Sequence, residues 1–424
     1  MIIVAILVFM VLLVLGVPVA FAIGAAGLAG LLWSGEFPLI IIMQQLYQSV
    51  DSFVLLAIPL FIFAGMLMET GGIAIRLVRL AQALVGWIRG GLAMAVVIAE
   101  YIFSGVSGST IADVSAIGAT VIPPMMRTGY RAGQAVSIVA AASAMGILVP
   151  PCILMIVLGS IANVSVAALF VAGFIPAVVL AAAIMAYIYW EARTGIVPAQ
   201  PMKVPEIGKA LRDALIPLGL PAIIFGGILG GVVTPTEAAA LAVLYAFAVG
   251  VFVYREIKWR DLPAIMARSA VVTGTVCFLL GVAAVIAWML AVAQVPAAIL
   301  AAMQAMSAGP VTFLILSAAL FILLGALLEG LPAVVILVPT FLPVVKQMGI
   351  DVIHYSIVVT AATGIGLFLP PIGVGLFISC GIAGITIDRV TREMMPYVTM
   401  LSIGLLLVIV FPWLTLVLPR IFSV

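Results

Sequence analysis

A short hydroxyl-rich break interrupts a long apolar run near the end of the first quarter of the chain. Residues 92–126 are largely apolar, but residues 104–113 read SGVSGSTIAD and contain Ser107, Gly108 and Ser109. Hydroxyl and carbonyl oxygens suit a small hard cation, whereas amides at the start of a helix suit an anion. The break therefore predicts an ion-binding site.

A second break follows shortly afterwards. Residues 137–151 read SIVAAASAMGILVPP, so that Gly146, Pro150 and Pro151 interrupt an apolar helix just after Ser143. Backbone that leaves the helix at membrane depth is tolerated only where it is buried in protein or lines a cavity. In transporters such broken helices form the substrate and ion sites. We expect the two broken segments to face each other and to form a transport site.

The rest of the chain indicates an all-α polytopic membrane protein. Of its 424 residues, 66% are hydrophobic and only 8% are charged, which excludes a soluble globular protein. The cations are scattered between apolar runs, so nucleic-acid binding is not expected. Each arm of the 92–126 run would be about 22 Å long as helix, shorter than a hydrocarbon core of about 30 Å. We expect a re-entrant hairpin there.

The two halves of the sequence repeat each other. Residues 146–151 read GILVPP and residues 366–371, displaced by 220 positions, read GLFLPP. The same displacement relates Pro123 to Pro343, Gly129 to Gly349, Ser143 to Thr363, Gly105 to Gly325, and Pro176 to Pro396. A repeat of this length indicates duplicated structure. It predicts a second hairpin at residues 311–345, broken at residues 325–332, and a second broken helix at residues 352–387.

The positions of the cations predict how the repeats are oriented. Fifteen of the 17 lysines and arginines fall on one face if each half has five spans and one hairpin. By the positive-inside rule this face is cytoplasmic. Five is an odd number, so the repeats are inverted, the second hairpin enters from the opposite face, and the N-terminus is periplasmic.

This pattern predicts seven regions. They are scaffold spans and interfacial helices (1–91), the first hairpin and broken helix (92–165), a span (166–190), a cytoplasmic link (191–212), further scaffold spans with a basic interfacial stretch at residues 255–268 (213–310), the second hairpin and broken helix (311–387), and a last region (388–424) whose span is expected at residues 397–418.

Three acidic residues lie in or beside the breaks. Asp113 follows Thr110 at the spacing of a capping box, so it either caps the returning helix or takes part in the site. Glu100 precedes the first tip and either bridges two helices or is a ligand. Glu329 takes the position of Ser109 in the second half, where it either belongs to the site or faces water and caps the following helix.

Two other polar positions have simpler interpretations. Glu237 follows Thr234 at the spacing of a capping box. His354, the one histidine, is expected at the membrane interface near the start of a span. A single histidine without paired intramembrane acids does not match a catalytic motif, so we expect no enzyme.

Three motifs together resemble a known family. They are SGSTIADVSAIG (residues 107–118), the pair GILVPP and GLFLPP, and GGVVTPTEAAA (residues 230–240). The chain resembles, over essentially its whole length, the large membrane subunit of tripartite ATP-independent periplasmic (TRAP) transporters, the DctM family. The resemblance implies sodium-driven uptake of an organic acid across a bacterial inner membrane, with the hairpin domain moving like an elevator against a scaffold. It also implies two partners, a small four-helix membrane subunit and a periplasmic substrate-binding protein.

The resemblance further implies two or more transported sodium ions. The residues implied for the first sodium site are Ser107, Gly108, Ser143, Gly146 and Pro150, and those for the second are Leu328, Thr363, Gly366 and Pro370. The tip residues assigned to the substrate are Ser109, Thr110, Glu329 and Gly330. The alternative within transport is a stand-alone sodium- or proton-coupled dicarboxylate symporter with the same inverted hairpins.

Overall fold

The chain is α-helical throughout the residues described by a computed structural model, namely 1–198, 207–328 and 330–423, which contain no strand. The helices of the first half are α1 (Ile2–Val14), α2 (Val19–Ser34), α3 (Ile40–Val50), α4 (Ala57–Thr70), α5 (Ile73–Val85), α6 (Gly91–Ser107), α7 (Thr110–Arg127), α8 (Ala132–Gly146), α9 (Ile153–Ala162) and α10 (Val166–Thr194). Those of the second half are α11 (Ile207–Leu229), α12 (Pro235–Ala248), α13 (Leu262–Val292), α14 (Val295–Ala305), α15 (Pro310–Leu328), α16 (Gly330–Gln347), α17 (Val352–Leu367), α18 (Val374–Ala383), α19 (Ile387–Val410) and α20 (Trp413–Phe422).

Within these residues, eight helical segments have the length and apolar character needed to cross a bilayer. The expected all-α polytopic membrane protein is thus confirmed. Helix length alone does not separate crossings from hairpin arms, because the eight segments include both arms of the second hairpin, α15 and α16.

Three predicted boundaries were wrong. The first break covers only Gly108 and Ser109, because α6 continues to Ser107 and α7 begins at Thr110. The basic stretch 255–268 is not one interfacial element, because its residues 262–268 belong to α13. Helix α13 begins at Leu262 with a proline in its first turn, a position that favours helix initiation. The last crossing, expected at residues 397–418, is divided at Phe411 and Pro412 into α19 and α20.

The sequence repeat is also a structural repeat. Helix α7 runs from residue 110 to 127 and α16 from 330 to 347, so both ends are displaced by the same 220 positions. The starts of α8 and α17, at residues 132 and 352, show the same displacement. The halves differ in one scaffold element: α3 and α4 are separated by a 3-10 turn (Phe53–Leu56), while the matching part of the second half lies in the continuous α13.

The first hairpin, formed by α6 and α7, ends halfway along a broken crossing. Helices α8 and α9 together span residues 132–162 and are interrupted at residues 147–152. The Gly108 carbonyl at the hairpin tip accepts a hydrogen bond from the Ile153 amide at 3.4 Å. Gly108 has a φ of +68°, and a Cβ there would lie 2.8 Å from the Pro151 carbonyl oxygen. The tip thus lies against the break, as expected of a re-entrant hairpin.

The second hairpin, α15 and α16, meets its own broken crossing in the same way. A Cβ on Gly325 would lie 3.0 Å from the Thr363 carbonyl oxygen, and one on Gly330 would clash with the Thr363 methyl group. A Cβ on Gly366 would clash with the Ile322 carbonyl oxygen. The end of α17 and the second tip are therefore in backbone contact.

Polar contacts join basic segments in two groups. Arg76 in the first turn of α5 forms an ion pair with Glu256, before α13, at 3.0 Å. Arg131, before α8, forms an ion pair with Glu393 near the start of α19 at 3.0 Å, and the Gln134 side chain donates to the Ile196 carbonyl, after α10, at 2.9 Å. Within each group the contacts place the joined segments on the same side, while the periplasmic N-terminus stays a prediction.

Labelling of two turns tests the inversion of the hairpins. Thr128 and Ser307 are exposed in the turns that follow the first hairpin and precede the second. In a background lacking the three free cysteines Cys152, Cys277 and Cys380, we expect Thr128→Cys to react with a membrane-impermeant maleimide only from the cytoplasmic face, and Ser307→Cys only from the periplasmic face. Reaction of both from one face would contradict inverted repeats.

Candidate cation and substrate site

The two broken crossings touch each other at their breaks. A Cβ on Gly364 of α17 would lie 2.5 Å from the Ala144 carbonyl oxygen and 2.6 Å from Cγ2 of Ile147. Only a hydrogen atom fits at this position, so α8 and α17 approach each other more closely than helices with larger side chains allow. The two repeat-related broken helices therefore meet beside their breaks.

A row of polar side chains lines the inner face of α6. Glu100, Ser104 and Ser107 are spaced four and three residues apart, which places them on one helix face. Glu100 is fully buried, and the two serines are nearly so. Because the surrounding residues are apolar, this row needs polar partners on the neighbouring helices.

Each member of the row has a partner on α7 or α8. The Ser143 hydroxyl donates to Oε1 of Glu100 at 2.6 Å. The Ser104 hydroxyl donates to the Gly146 carbonyl at 2.7 Å. The Ser107 hydroxyl donates to Oδ1 of the fully buried Asp113. The hairpin is therefore attached to the broken helix and to its own returning arm by side-chain hydrogen bonds.

These bonds define structural roles for the two acidic residues of the first half, while each carboxylate keeps one buried oxygen without a partner within the described residues. Asp113 does not cap α7, because its carboxylate binds Ser107 and the N-cap position has no side-chain hydrogen bond. Glu100 does bridge two helices, since it accepts from Ser143 of α8.

The other two polar positions have defined partners. Glu237 forms the expected capping box with Thr234. His354 lies near the start of α17, as expected, and its position at the membrane interface stays a prediction. Its ring is buried, with Nδ1 2.9 Å from the Thr415 hydroxyl, because α20 folds back onto α17 after the break at Pro412 and covers the histidine.

The tip of the first hairpin presents the start of a helix. Ser109 is the N-cap residue of α7 and is partly exposed, and Thr110 begins the helix. The Ser109 amide donates to the Ser107 hydroxyl oxygen at 3.2 Å. Free amides and the positive end of the helix dipole at such a position favour an anion. This geometry is compatible with the substrate assignment of Ser109 and Thr110, which stays a prediction.

The second half has fewer polar groups at the corresponding place. Thr363 is fully buried, and its hydroxyl has no hydrogen-bond partner within the described ranges. Leu328 and Gly330 flank the second tip, and Glu329 between them lies outside the described residues. Pro150 and Pro151 are buried, whereas Pro370 is half-buried and Pro371 is exposed. Both Pro-Pro peptide bonds are cis.

The residues predicted for the first sodium site, Ser107, Gly108, Ser143, Gly146 and Pro150, lie at the first tip and its broken helix. Of those predicted for the second, Thr363 and Gly366 contact the second hairpin and Leu328 ends its first arm, whereas Pro370 lies beyond them in the half-buried Pro-Pro step. Both sodium assignments stay predictions. Sequence reasoning missed Ser104 and left Glu100 outside the site. Their spacing from Ser107, one helix turn for Ser104 and two for Glu100, was the signal that could have identified them.

An apolar crevice separates the second hairpin from three scaffold helices. Its volume is about 300 Å³, and side chains of α1, α2, α13, α15 and α16 line it. By contrast, the first hairpin packs tightly on α4, where a Cβ on Gly65 would lie 2.6 Å from the Ser107 carbonyl oxygen. The crevice lies beside the second hairpin although α16 also packs against α13.

The family model described as "Tripartite ATP-independent periplasmic transporter, DctM component" matches residues 6–414. The chain belongs to the DctM family of TRAP transporters. This DctM-family chain is 34% identical to the C4-dicarboxylate TRAP transporter large permease protein DctM of Vibrio cholerae, covering 96% of the chain and 95% of that protein. It is 35% identical to the isethionate TRAP transporter permease protein DctMQ of Oleidesulfovibrio alaskensis, covering 94% of the chain but only 63% of that longer protein.

A solved structure shares the fold of this DctM-family chain. The YdaH transporter of Alcanivorax borkumensis aligns with a TM-score of 0.62 at 17% sequence identity, covering 89% of the chain and 88% of that protein. The family is a transporter permease family of the bacterial inner membrane, and the helices described above make this member a multi-pass membrane protein.

The close approach of the two breaks can be tested with one methyl group. We expect Gly364→Ala to lower the stability of the purified chain by about 1–3 kcal/mol, because overpacking a tight contact forces backbone shifts of that cost. Thermal unfolding in detergent measures the change. Gly381→Ala in α18 is the control, because a Cβ there would meet nothing within 4 Å. Equal unfolding temperatures for the two variants would contradict the contact.

Proposed function

We propose that the chain is the large membrane subunit of a sodium-coupled TRAP transporter that imports an organic acid by an elevator mechanism. The observation that carries the proposal is the meeting of two repeat-related broken helices, each with a hairpin tip against its break. Such discontinuous helices near the middle of the membrane are where secondary transporters bind substrate and coupling ions.

The chemistry of the breaks supports the choice of ligands. Hydroxyl and carbonyl oxygens from Ser107, Ser143 and Gly146 in the first half, and from Thr363 and Gly366 in the second, suit sodium. Sodium entry down the membrane potential gains about 2.3 kcal/mol per charge per 100 mV. Cotransport of sodium therefore offsets the unfavourable inward movement of an anion.

The substrate class rests on the start of α7 and on the relatives. Ser109, Thr110 and Gly330 lie at the starts of α7 and α16, where the positive end of a helix dipole favours a carboxylate without a fixed cation. Relatives are named for C4-dicarboxylate, isethionate and sialic acid, which are all organic acids. We infer an organic acid for this chain and leave its identity to experiment.

The elevator movement requires one part of the molecule to move against another. Helices α6–α9 and α15–α18 contain the hairpins and the broken helices, and the other helices form the remainder. The apolar crevice beside the second hairpin supports a movable boundary there, because few polar contacts would have to break.

The partners follow from the family and from the length of the longer relatives. The chain covers 63% of DctMQ and 68% of the sialic acid permease SiaT of Haemophilus influenzae. We infer that a separate small membrane subunit corresponds to the remaining part, and that a periplasmic binding protein delivers the substrate. With the basic turns in the cytoplasm, the N-terminus is periplasmic.

Reconstitution tests the tripartite arrangement. We expect proteoliposomes with the chain and the small subunit to accumulate the organic acid only when a sodium gradient and the binding protein are both supplied. Uptake of radiolabelled substrate is the measurement. Autonomous uptake by the chain alone would instead identify a stand-alone symporter, and uptake driven by a proton gradient without sodium would exclude sodium coupling.

Removal of single hydroxyl groups tests the sodium ligands. We expect Thr363→Ala and Ser143→Ala each to raise the sodium concentration for half-maximal uptake by about three- to tenfold, in line with loss of one oxygen contact to a charge. Thr363 is the cleaner position, because its hydroxyl has no partner within the described residues that the change would leave unpaired.

The matched control is Thr340→Ala, because the buried Thr340 hydroxyl bonds only within α16, to the Ile336 carbonyl at 3.1 Å. An unchanged sodium dependence in both test variants would remove these residues from the sodium sites.

A further inference from the structure

The first half carries a buried cluster of acids and hydroxyls, and the repeat counterparts of four of its five residues are apolar. We define this acidic cluster as Glu100, Ser104, Ser107, Asp113 and Ser143, all of them buried. The residues 220 positions after the first four are apolar, namely Leu320, Leu324, Leu327 and Ala333. Only Ser143 has a hydroxyl counterpart, Thr363.

The acidic cluster has more acceptors than donors. Its three serine hydroxyls donate to Glu100, to the Gly146 carbonyl and to Asp113. Each carboxylate still has one buried oxygen, Oε2 of Glu100 and Oδ2 of Asp113, without a hydrogen-bond partner within the described ranges. A group of oxygen atoms whose nearby donors are all engaged is suited to a hard cation.

The end of α8 adds to this preference. Oδ2 of Asp113 points toward Gly146, lying 3.7 Å from the position of a Cβ on that residue. Gly146 is the last residue of α8, and the carbonyl end of a helix carries a partial negative charge. The unpartnered Asp113 oxygen, the Ser104 hydroxyl oxygen and a helix end thus converge beside the first break.

We propose that Glu100 and Asp113 hold a monovalent hard cation in the first half in the absence of substrate. This inference rests on the proposed function and gives its two cation sites different ligand charges. The first site contains two acidic side chains. The Thr363 site has hydroxyl and carbonyl oxygens among its described residues, so the anionic substrate completes its charge balance. The expected order of binding is one cation first, and then the substrate with the second cation.

Binding of radioactive sodium to the full-length chain in detergent tests this order. We expect one sodium ion per wild-type chain without substrate. Glu100→Gln and Asp113→Asn keep the shapes of the side chains but remove their charge, and each should weaken this substrate-free binding at least tenfold. Asp388→Asn removes an exposed acid at the start of α19 and should change the binding less than twofold.

Two outcomes would overturn the inference. One is a wild-type chain that binds no sodium without substrate, and the other is that the Glu100→Gln and Asp113→Asn variants bind sodium as tightly as wild type. The wild-type result stands even if a variant fails to fold, and thermal unfolding identifies such a variant.

The proposed function has a separate test. Uptake that does not require sodium would refute sodium coupling itself. Sodium-dependent uptake together with no substrate-free sodium binding would refute only the inference about Glu100 and Asp113.

Discussion

Peptide groups that leave a helix inside a bilayer must find partners in the protein, because the hydrocarbon offers none. In this chain the partners come from the hairpins. The Gly146 carbonyl at the end of α8 accepts from Ser104 of the first hairpin, and the Gly108 carbonyl at the tip accepts from Ile153 at the start of α9. The hairpin and the broken helix thus provide hydrogen-bond partners for each other's backbone groups, and these bonds hold the tip against the break.

The same backbone arrangement carries different chemistry in the two halves. The positions that bear Glu100, Ser104 and Asp113 bear leucine and alanine after the repeat interval. Glycine, in contrast, is kept at Gly105 and Gly325 and at Gly146 and Gly366, where helices and tips approach closely. The repeat therefore preserves the contacts that bring the backbone together, while the polar side chains that decide charge differ between the halves.

Local signals in the sequence predicted the crossings, the hairpins and the repeat, because apolar runs, Pro-Pro steps and glycines act over a few residues. Pairings between distant segments were not predictable in this way. Asp113 binds Ser107 across the tip instead of capping α7, which depends on the direction in which the tip turns. His354 meets Thr415, 61 residues away, only because α20 folds back. The continuity of α13 could be predicted only from the absence of a helix-breaking residue within it, which is a weak signal. The involvement of Glu100 required knowing that α8 faces α6.

The unequal exposure of the two Pro-Pro steps has a consequence for the whole molecule. Pro150 and Pro151 are enclosed by protein, while Pro371 reaches the surface. In the elevator movement proposed above, the two repeat-related segments would exchange environments. The second Pro-Pro step would then be enclosed by protein and the first would become accessible.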